Sequence, residues 1–214
     1  MEISEILGYI DHTLLKPDTN SKSVMELCRD ALRYKTASVC IPPAYVKIVR
    51  ESFPELNICT VIGFPLGYCT KAVKVFETED AVKNGADEID MVINIGDVKN
   101  GDFDAITEEI SAVKQVAGEK IVKVIIETCY LSVEEKIALC GCVTKAGADF
   151  IKTSTGFGTA GAQIEDIELF KRHLGGDVKI KAAGGIRTRE DMEKFIAEGC
   201  DRIGSSGAKS LFNK

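Results

Sequence analysis

The sequence predicts a single α/β domain over residues 1–214, folded as a (β/α)8 TIM barrel. Two observations favour this fold class. Short apolar stretches alternate with stretches of helical spacing along the whole chain, giving eight strand–helix units in about 210 residues. A short motif also recurs where a helix should end and a strand begin. Its copies are Gly85-Ala86-Asp87, Gly147-Ala148-Asp149 and Gly199-Cys200-Asp201. An open doubly wound sheet is the alternative, because periodicity does not show whether a sheet closes.

The first half of the chain divides at proline- and glycine-rich breaks. Pro17, the pair Pro42-Pro43 and the segment 63–67 interrupt apolar stretches that are too short to be anything but strands. Residues Val24, Leu27, Cys28 and Ala31 recur at helical spacing. We therefore predict strands over 9–14, 37–41, 57–62 and 88–93, and helices over 21–34, through 45–53 and over 71–84.

The second half continues the alternation. The helix that begins at Phe103 has the clearest amphipathic pattern, with Ile106, Ile110 and Val113 on one face. Ser132 with Glu135 forms a capping box that starts the next helix. We predict strands over 121–127, through Lys152, over 178–182 and over 202–204, and helices over 164–173, after the cap at 188–191 and at the end of the chain.

Composition excludes several classes of protein. A net charge of −6 and a pI near 5.1 argue against nucleic acid or an anionic membrane as the partner. The acidic N-terminus lacks a signal-peptide pattern, and no apolar run approaches the roughly 20 residues of a membrane span. Most of the eight cysteines fall in apolar stretches, and Cys140-Gly141-Cys142 lacks the usual zinc spacing. We expect a cytoplasmic protein with free thiols and without metal or cofactor.

Charged residues within the predicted strands stand out, since parallel strands are covered on both faces and are normally apolar. At the carboxyl ends of barrel strands such side chains converge on one mouth, where barrel active sites lie. For Lys123 and Lys179 a solvated strand end or a buried structural ion pair is as plausible as a direct role. For Lys152 and Lys181 we favour chemistry. The charged strand residues are Asp11, Asp90, Lys123, Glu127, Lys152, Lys179 and Lys181.

Lys152, Lys181 and Asp90 predict Schiff-base chemistry together. If two ammonium groups lie close in a partly desolvated mouth, one should lose its proton below its solution pKa. That neutral amine can attack an aldehyde. Asp90 would hold the remaining ammonium and exchange protons through a water molecule.

Glycine- and hydroxyl-rich loops follow the last three predicted strands. Glycine permits close backbone approach, and backbone N–H groups at such turns bind phosphate, a site that barrels often place after their last two strands. Three such loops in the same register predict a phosphate grip. The loops contain Gly156 and Gly158, Ala183-Gly184-Gly185, and Gly204-Ser205-Ser206-Gly207.

Over nearly its whole length the chain resembles the bacterial type of the 2-deoxyribose-5-phosphate aldolase family. Several blocks in the same order carry the resemblance, which makes it more specific than any one motif. They span 10–14, 61–67, 85–94, 123–128, 150–156, 181–187 and 202–206, and include Phe150-Ile151-Lys152-Thr153-Ser154-Thr155-Gly156.

The resemblance implies a class I, metal-independent aldolase on a TIM barrel. Its expected reaction is reversible cleavage of 2-deoxy-D-ribose 5-phosphate, a small phosphorylated sugar, to D-glyceraldehyde 3-phosphate and acetaldehyde, in deoxyribose phosphate catabolism. By the same resemblance Lys152 is the Schiff-base lysine, Lys181 the second lysine and Asp90 the proton-relay carboxylate. It also implies a homodimer or larger homo-oligomer. The implied substrate-binding residues are Gly156, Gly184, Gly185, Ser205, Ser206, Thr153, Cys40 and Thr13.

Two departures from the family pattern affect rate and aldehyde preference more than reaction type. Some relatives have a lysine in place of Phe157, and some have a C-terminal tail with a terminal tyrosine, where this chain has Phe212-Asn213-Lys214. Two rival functions stay open. One is a phosphate-binding barrel isomerase, which forms no imine and would therefore not be inactivated by borohydride. The other is a non-catalytic sugar-phosphate sensor, which would bind ligand without turnover.

Overall fold

Eight parallel strands close into a barrel in this computed structural model, which describes residues 1–211. Each strand pairs with the next, and β1 pairs with β8 through Ile10 with Ile203, Asp11 with Gly204 and His12 with Ser205. This last pairing confirms the predicted barrel and excludes the open sheet. The strands are β1 Ile10–Thr13, β2 Ser38–Ile41, β3 Ile58–Ile62, β4 Glu88–Val92, β5 Ile121–Ile125, β6 Phe150–Lys152, β7 Lys179–Ala183 and β8 Arg202–Ser205.

Helices follow the strands and form the outer layer. The helices are α1 Ile3–Leu7, α2 Ser21–Tyr34, α3 Val46–Ser52, α4 Lys71–Lys83, α5 Ile95–Lys99, α6 Phe103–Ala117, α7 Val133–Lys145, α8 Ile164–His173 and α9 Arg189–Glu198. Short 3-10 turns occupy Pro43–Tyr45, Thr128–Tyr130 and Ala208–Leu211. Residues 212–214, where the family comparison noted a departure and which the predicted domain includes, lie outside the described residues.

Three expectations about the elements were wrong in detail. The five-residue helices α1 and α5 were not predicted, because one turn is too short to show a helical period. The fifth strand was expected to reach Glu127 but ends at Ile125. Glu127 adopts a left-handed backbone with φ 54° and begins the following turn. Where a final helix was expected, the described residues form only the 3-10 turn at 208–211.

The repeated glycine–aspartate motif joins neighbouring strands. As predicted, the three glycines have positive φ, 106° at Gly85, 71° at Gly147 and 108° at Gly199. Each aspartate that follows exchanges two hydrogen bonds with the preceding strand: its N–H donates to a carbonyl there, and its carboxylate accepts the N–H of the same residue. The pairs are Asp87 with Ile58, Asp149 with Val122 and Asp201 with Ile180.

The apolar core lies between the barrel and its helices, while the barrel interior is charged. Outward-facing strand residues such as Ile89, Val122 and Ile151 are fully buried in the large apolar cluster. The alternate residues point inward, as the two-residue period of a strand requires, and they include Asp90 and Lys123. No helix among residues 1–211 is long and apolar enough to cross a membrane.

Candidate active site

Lys152, Asp90 and Lys181 meet inside the barrel. Lys152 is the last residue of β6 and is paired in register with Lys181 of β7. One carboxylate oxygen of Asp90, Oδ2, accepts a hydrogen bond from each lysine, with both Nζ–Oδ2 distances at 2.7 Å. The structure thus brings together all three residues that the sequence predicted to be catalytic.

The second oxygen of Asp90 is held by groups deeper in the barrel. Oδ1 accepts from Lys123 Nζ at 2.8 Å and from the Cys59 thiol at 3.1 Å. Burial raises the pKa of Asp90, but the neighbouring lysines, Lys123 first, outweigh it and hold the pKa well below its usual range. Asp90 is therefore a carboxylate that Lys123 and Cys59 hold through Oδ1, while its Oδ2 contacts Lys152 and Lys181.

Lys181 has a second carboxylate partner. Its Nζ donates to Asp11 Oδ2 at 2.5 Å as well as to Asp90. Burial lowers the pKa of Lys181, but Asp11 and Asp90 together outweigh burial and raise it above its ordinary value. The sequence led us to expect that either Lys152 or Lys181 loses its proton. Because Lys181 is held between two carboxylates, it keeps its proton.

The ion network continues below Lys152 and includes Lys123, for which the sequence left a structural and a direct role open. This lysine is fully buried, with Nζ 2.6 Å from Glu88 Oε2 in addition to its contact with Asp90. Arg202 closes the network by contacting Glu88 at 3.0 Å and Asp11 at 2.5 Å. Lys123 is therefore a buried ion-pair partner that also contacts Asp90.

Lys179 lies at a solvated strand end, the other structural alternative that the sequence left open. It is exposed at the start of β7, where its Nζ lies 5.9 Å from the centre of the Phe150 ring. It is a solvated strand end, two residues before Lys181 on the same face of the strand.

A cavity of about 320 Å³ opens above Lys152. It is bounded by Thr13 at the end of β1 and by the three glycine-rich loops that follow β6, β7 and β8. Asp90 and Lys181 lie beneath it. Of the predicted residues, those on its wall are Thr13, Lys152, Gly156, Gly184, Gly185, Ser205 and Ser206.

The three loops are shaped by backbone conformations that favour glycine. Gly156 and Gly184 have φ of 87°, and Gly185 has φ of 79°. A side chain at Gly184 would also meet the Gly161 backbone at 3.0 Å. The Ser205 hydroxyl donates to Ile186 O and accepts from Gly207 N, so it stabilises the β8 loop. Nothing lies within 4 Å of where a side chain at Gly156 or Gly185 would begin, so the backbone there is open to close approach beside the cavity.

Two predicted pocket residues lie behind the wall rather than on it. Thr153 is fully buried, because its hydroxyl donates to Ala183 O and accepts from Ala183 N, joining β6 to β7. Cys40 is fully buried in a small cluster with Cys59 and Val61, next to Asp90. Both support the site by packing, and the expectation that they line the pocket needs this correction.

The sequence did not assign several groups that the structure places at the site. Asp11 was noticed as a charge within a strand but not as the partner of Lys181. Lys16 and Arg187, both exposed, add positive charge to the cavity wall. Glu127 accepts from the backbone N–H and the hydroxyl of Thr155, which fixes the β6 loop. Asp11 lies two positions before Thr13, on the same face of β1, so the strand period could have placed Asp11 at the site. No such period marks Lys16, Arg187 or Glu127.

Two groups of potential metal ligands lie beside the site in the described part of the chain, Asp11 with Cys59 and Glu88, and Cys40 with Cys59 and Asp90. Within each group the ligand atoms all lie within 4.8 Å of one another, and in the second group a cation is already present. The Lys123 ammonium group already contacts two of these ligands, at 3.2 Å from Cys59 Sγ and 2.8 Å from Asp90 Oδ1. Positive charge at this place is thus supplied by the protein, and we assign no metal role to either group.

Comparison with known proteins agrees with the geometry. The model of the DeoC/LacD family aldolases matches residues 6–214. The chain is 58% identical over 212 residues to a deoxyribose-phosphate aldolase of Clostridium botulinum, covering 99% of this chain and 96% of that protein.

Solved structures agree as well. The crystal structure of a provisionally assigned deoxyribose-phosphate aldolase from Coccidioides immitis superimposes with a TM-score of 0.96 at 37% identity, covering 100% of this chain and 86% of the other. A tetrameric deoxyribose phosphate aldolase from Aeropyrum pernix has a TM-score of 0.90 at 30% identity, with 98% and 90% covered. With its lysine pair, its barrel and these relatives, the chain belongs to the DeoC/LacD family of aldolases.

Proposed function

We propose that this aldolase cleaves 2-deoxy-D-ribose 5-phosphate reversibly into D-glyceraldehyde 3-phosphate and acetaldehyde, with Lys152 as the Schiff-base residue. The observation that carries the proposal is the sharing of Asp90 Oδ2 by Lys152 and Lys181, 2.7 Å from each, at the floor of the cavity. The names of the relatives support the substrate, since the Clostridium botulinum protein is a deoxyribose-phosphate aldolase.

Lys152 is the nucleophile in this proposal because it is the lysine that borders the cavity. Lys181 is fully buried between Asp11 and Asp90, and its raised pKa keeps it an ammonium group. Asp90 can pass the proton that Lys152 releases on to a water molecule, while Lys181 balances the charge of the carboxylate. Lys152 Nζ then attacks C1 of the open-chain sugar, and loss of water gives a protonated imine.

The imine is the electron sink for the cleavage of the C2–C3 bond. A base removes the proton of the C3 hydroxyl as that carbon becomes the aldehyde of D-glyceraldehyde 3-phosphate, and the bonding electrons form an enamine on Lys152. Protonation of the enamine carbon and hydrolysis with one water release acetaldehyde and restore the amine. Asp90 and Lys181 would shuttle these protons through a water molecule.

The substrate phosphate fits the far end of the cavity in this proposal. Gly156, Gly184 and Gly185 leave their backbones open to close approach, and the β8 loop at Ser205 and Ser206 completes the ring. Lys16 and Arg187 on the same wall offset the net negative charge of the chain locally.

Borohydride trapping tests the imine directly. The protein is incubated with acetaldehyde, reduced, and analysed by intact mass and peptide mapping. We expect one ethyl adduct at Lys152, and none in Lys152→Met. Lys179→Met, an exposed lysine on β7, is the matched control and should trap like the unaltered protein. Trapping at another lysine, or none at all, would end the mechanism and favour the isomerase or the sensor.

Lys181→Leu tests the relay separately. Leucine keeps the apolar part of the side chain as far as Cδ, but Asp11 and Asp90 lose their shared ammonium group. We expect cleavage of 2-deoxy-D-ribose 5-phosphate to fall by about 10²- to 10⁴-fold, the range of general acid–base catalysis. Circular dichroism checks that the variant folds. Near-normal turnover would remove Lys181 from the mechanism.

We further propose a homodimer or larger homo-oligomer of a single-domain chain, working in the reducing cytosol. The tetrameric Aeropyrum pernix relative supports assembly, and all eight cysteines are free thiols, which supports the compartment. Light scattering during size-exclusion chromatography measures the assembly, and a monomeric mass at micromolar concentration would contradict it.

A further inference from the structure

Phe157 places an aromatic ring on the wall of the cavity above Lys152, whose other loops are rich in glycine and serine. It lies two residues after Thr155 in the β6 loop and is 50% exposed, although it borders the enclosed space above Lys152. A ring of this size left half open to water in a ligand cavity is surface that a bound molecule can cover.

The ring is held in place rather than free to swing aside. The Phe157 N–H donates to the Thr155 hydroxyl at 3.0 Å, and Thr155 is fixed in turn by Glu127. The ring also packs edge-to-face on Phe64, with centroids 5.4 Å apart and planes at 89°. Phe64 packs on the buried cluster of Cys40, Cys59 and Val61, so the aromatic pair rests on the barrel itself.

Other apolar side chains extend the surface that Phe157 begins. Leu14 and Leu15, half-buried after β1, border the same cavity, and Leu15 packs on the same buried cluster as Phe64. The glycine and serine loops after β7 and β8 also border it. The cavity therefore has apolar as well as polar surface within reach of Lys152.

We propose that Phe157, backed by Phe64, determines acceptor specificity by forming an apolar subsite for the aldehyde. Among the acceptor aldehydes to which the enamine on Lys152 adds, the ring then favours those that carry an aromatic ring or short alkyl chain over polar ones. This inference rests on the proposed function, because it uses the same enamine. A phenylalanine ring cannot donate a hydrogen bond to phosphate, whereas it gains free energy by covering apolar surface.

The reaction balances without a redox partner. The enamine carbon forms a bond to the carbonyl carbon of the acceptor, the carbonyl π bond breaks, and its oxygen takes a proton. One water hydrolyses the resulting imine, which frees Lys152 and replaces the water lost when the imine first formed. With phenylacetaldehyde as the acceptor, the product is 3-hydroxy-4-phenylbutanal.

The test compares initial rates of addition of acetaldehyde to phenylacetaldehyde and to D-glyceraldehyde, the polar unphosphorylated reference. We expect Phe157→Ala to raise the KM for phenylacetaldehyde about tenfold more than the KM for D-glyceraldehyde, since half a ring of contact area is lost. Phe157→Leu should recover part of this preference, and Phe64→Ala should lose part of it. Tyr68→Ala removes an aromatic ring that is 71% exposed and does not line this cavity, so it is the matched control and should leave both KM values unchanged.

The outcomes separate this inference from the function on which it rests. If Phe157→Ala changes the ratio of the two KM values no more than Tyr68→Ala does, Phe157 sets no preference and the inference is overturned. It is also overturned if the protein traps acetaldehyde and cleaves 2-deoxy-D-ribose 5-phosphate but forms no product from phenylacetaldehyde. Failure of trapping and of cleavage would instead overturn the proposed function, and the subsite with it.

Discussion

Replacing Lys123 by methionine should destabilise the protein and shift the pH dependence of its activity. The side chain is fully buried and shared by Glu88 at 2.6 Å, Asp90 at 2.8 Å and Asp11 at 3.6 Å. Methionine fills a similar volume but removes the charge. Carboxylates that were paired are then left buried with fewer partners, which costs about 3–5 kcal/mol for one broken pair.

That loss is large beside the roughly 5–15 kcal/mol that keeps a domain folded. Urea unfolding followed by circular dichroism measures it, and we expect a lower midpoint with an unchanged slope. Lys179→Met changes the same residue type at an exposed site and should stay within about 0.5 kcal/mol of the unaltered protein. Adding Glu88→Gln to Lys123→Met should recover part of the loss by removing one unpaired charge.

Activity should respond through Asp90. Lys123 is the first of the lysines that hold the pKa of Asp90 below its usual range. Without Lys123, burial raises that pKa, so Asp90 takes up a proton at a higher pH than before and the relay fails earlier on acidification. The acid limb of the kcat profile should therefore move to higher pH. Unfolding within 0.5 kcal/mol of the unaltered protein, together with an unmoved acid limb, would refute the structural and electrostatic role of Lys123.

Three further predictions concern residues away from the cavity. Burial lowers the pKa of His12 to about 4 from 6.5, so between these values the unfolded chain binds a proton that the folded chain does not. Stability should therefore fall by about 3 kcal/mol as the pH drops from 6.5 to 4, and urea midpoints across this range should depend less on pH in His12→Gln. Asp201→Ala should cost about 1–3 kcal/mol, because the buried N–H of Ile180 loses its side-chain acceptor; a thermal midpoint within 1 °C of the unaltered value would contradict this. Lys74→Met should cost about 3–5 kcal/mol, because it leaves Glu109 buried without its partner at 2.8 Å. Combining Lys74→Met with Glu109→Leu should restore most of this stability in the same urea assay. A double variant no more stable than Lys74→Met would contradict the role of the pair.

The family resemblance of the sequence and its local patterns already predicted the barrel. Strand and helix positions follow from spacing within one stretch, and the glycines at 85, 147 and 199 have the positive φ that helix ends required. Lys152, Lys181 and Asp90 stood out because charges are improbable in parallel strands. These features need only the residues near them in the chain, so the sequence was sufficient.

Tertiary structure decided which charges meet. Lys123 and Lys179 look alike in sequence, each within or at the start of an apolar strand, yet one is fully buried among carboxylates and the other is in water. Pairing between β1 and β8 brings Asp11 near Arg202, and contact across the barrel joins Asp11 to Lys181, 170 residues away along the chain. Side-chain contacts across a closed barrel depend on register and closure, which no local pattern encodes.

The same division applies to the cavity. Glycine spacing predicted the three loops that could hold a phosphate, because each loop's backbone is set by its own residues. Only the folded chain shows that Phe157 packs on Phe64, 93 positions earlier, and that Thr153 and Cys40 lie behind the wall. By itself the sequence determined the fold and singled out Lys152 as the candidate nucleophile. The partners of that lysine, and the shape of the space above it, were decided by the packing of distant strands.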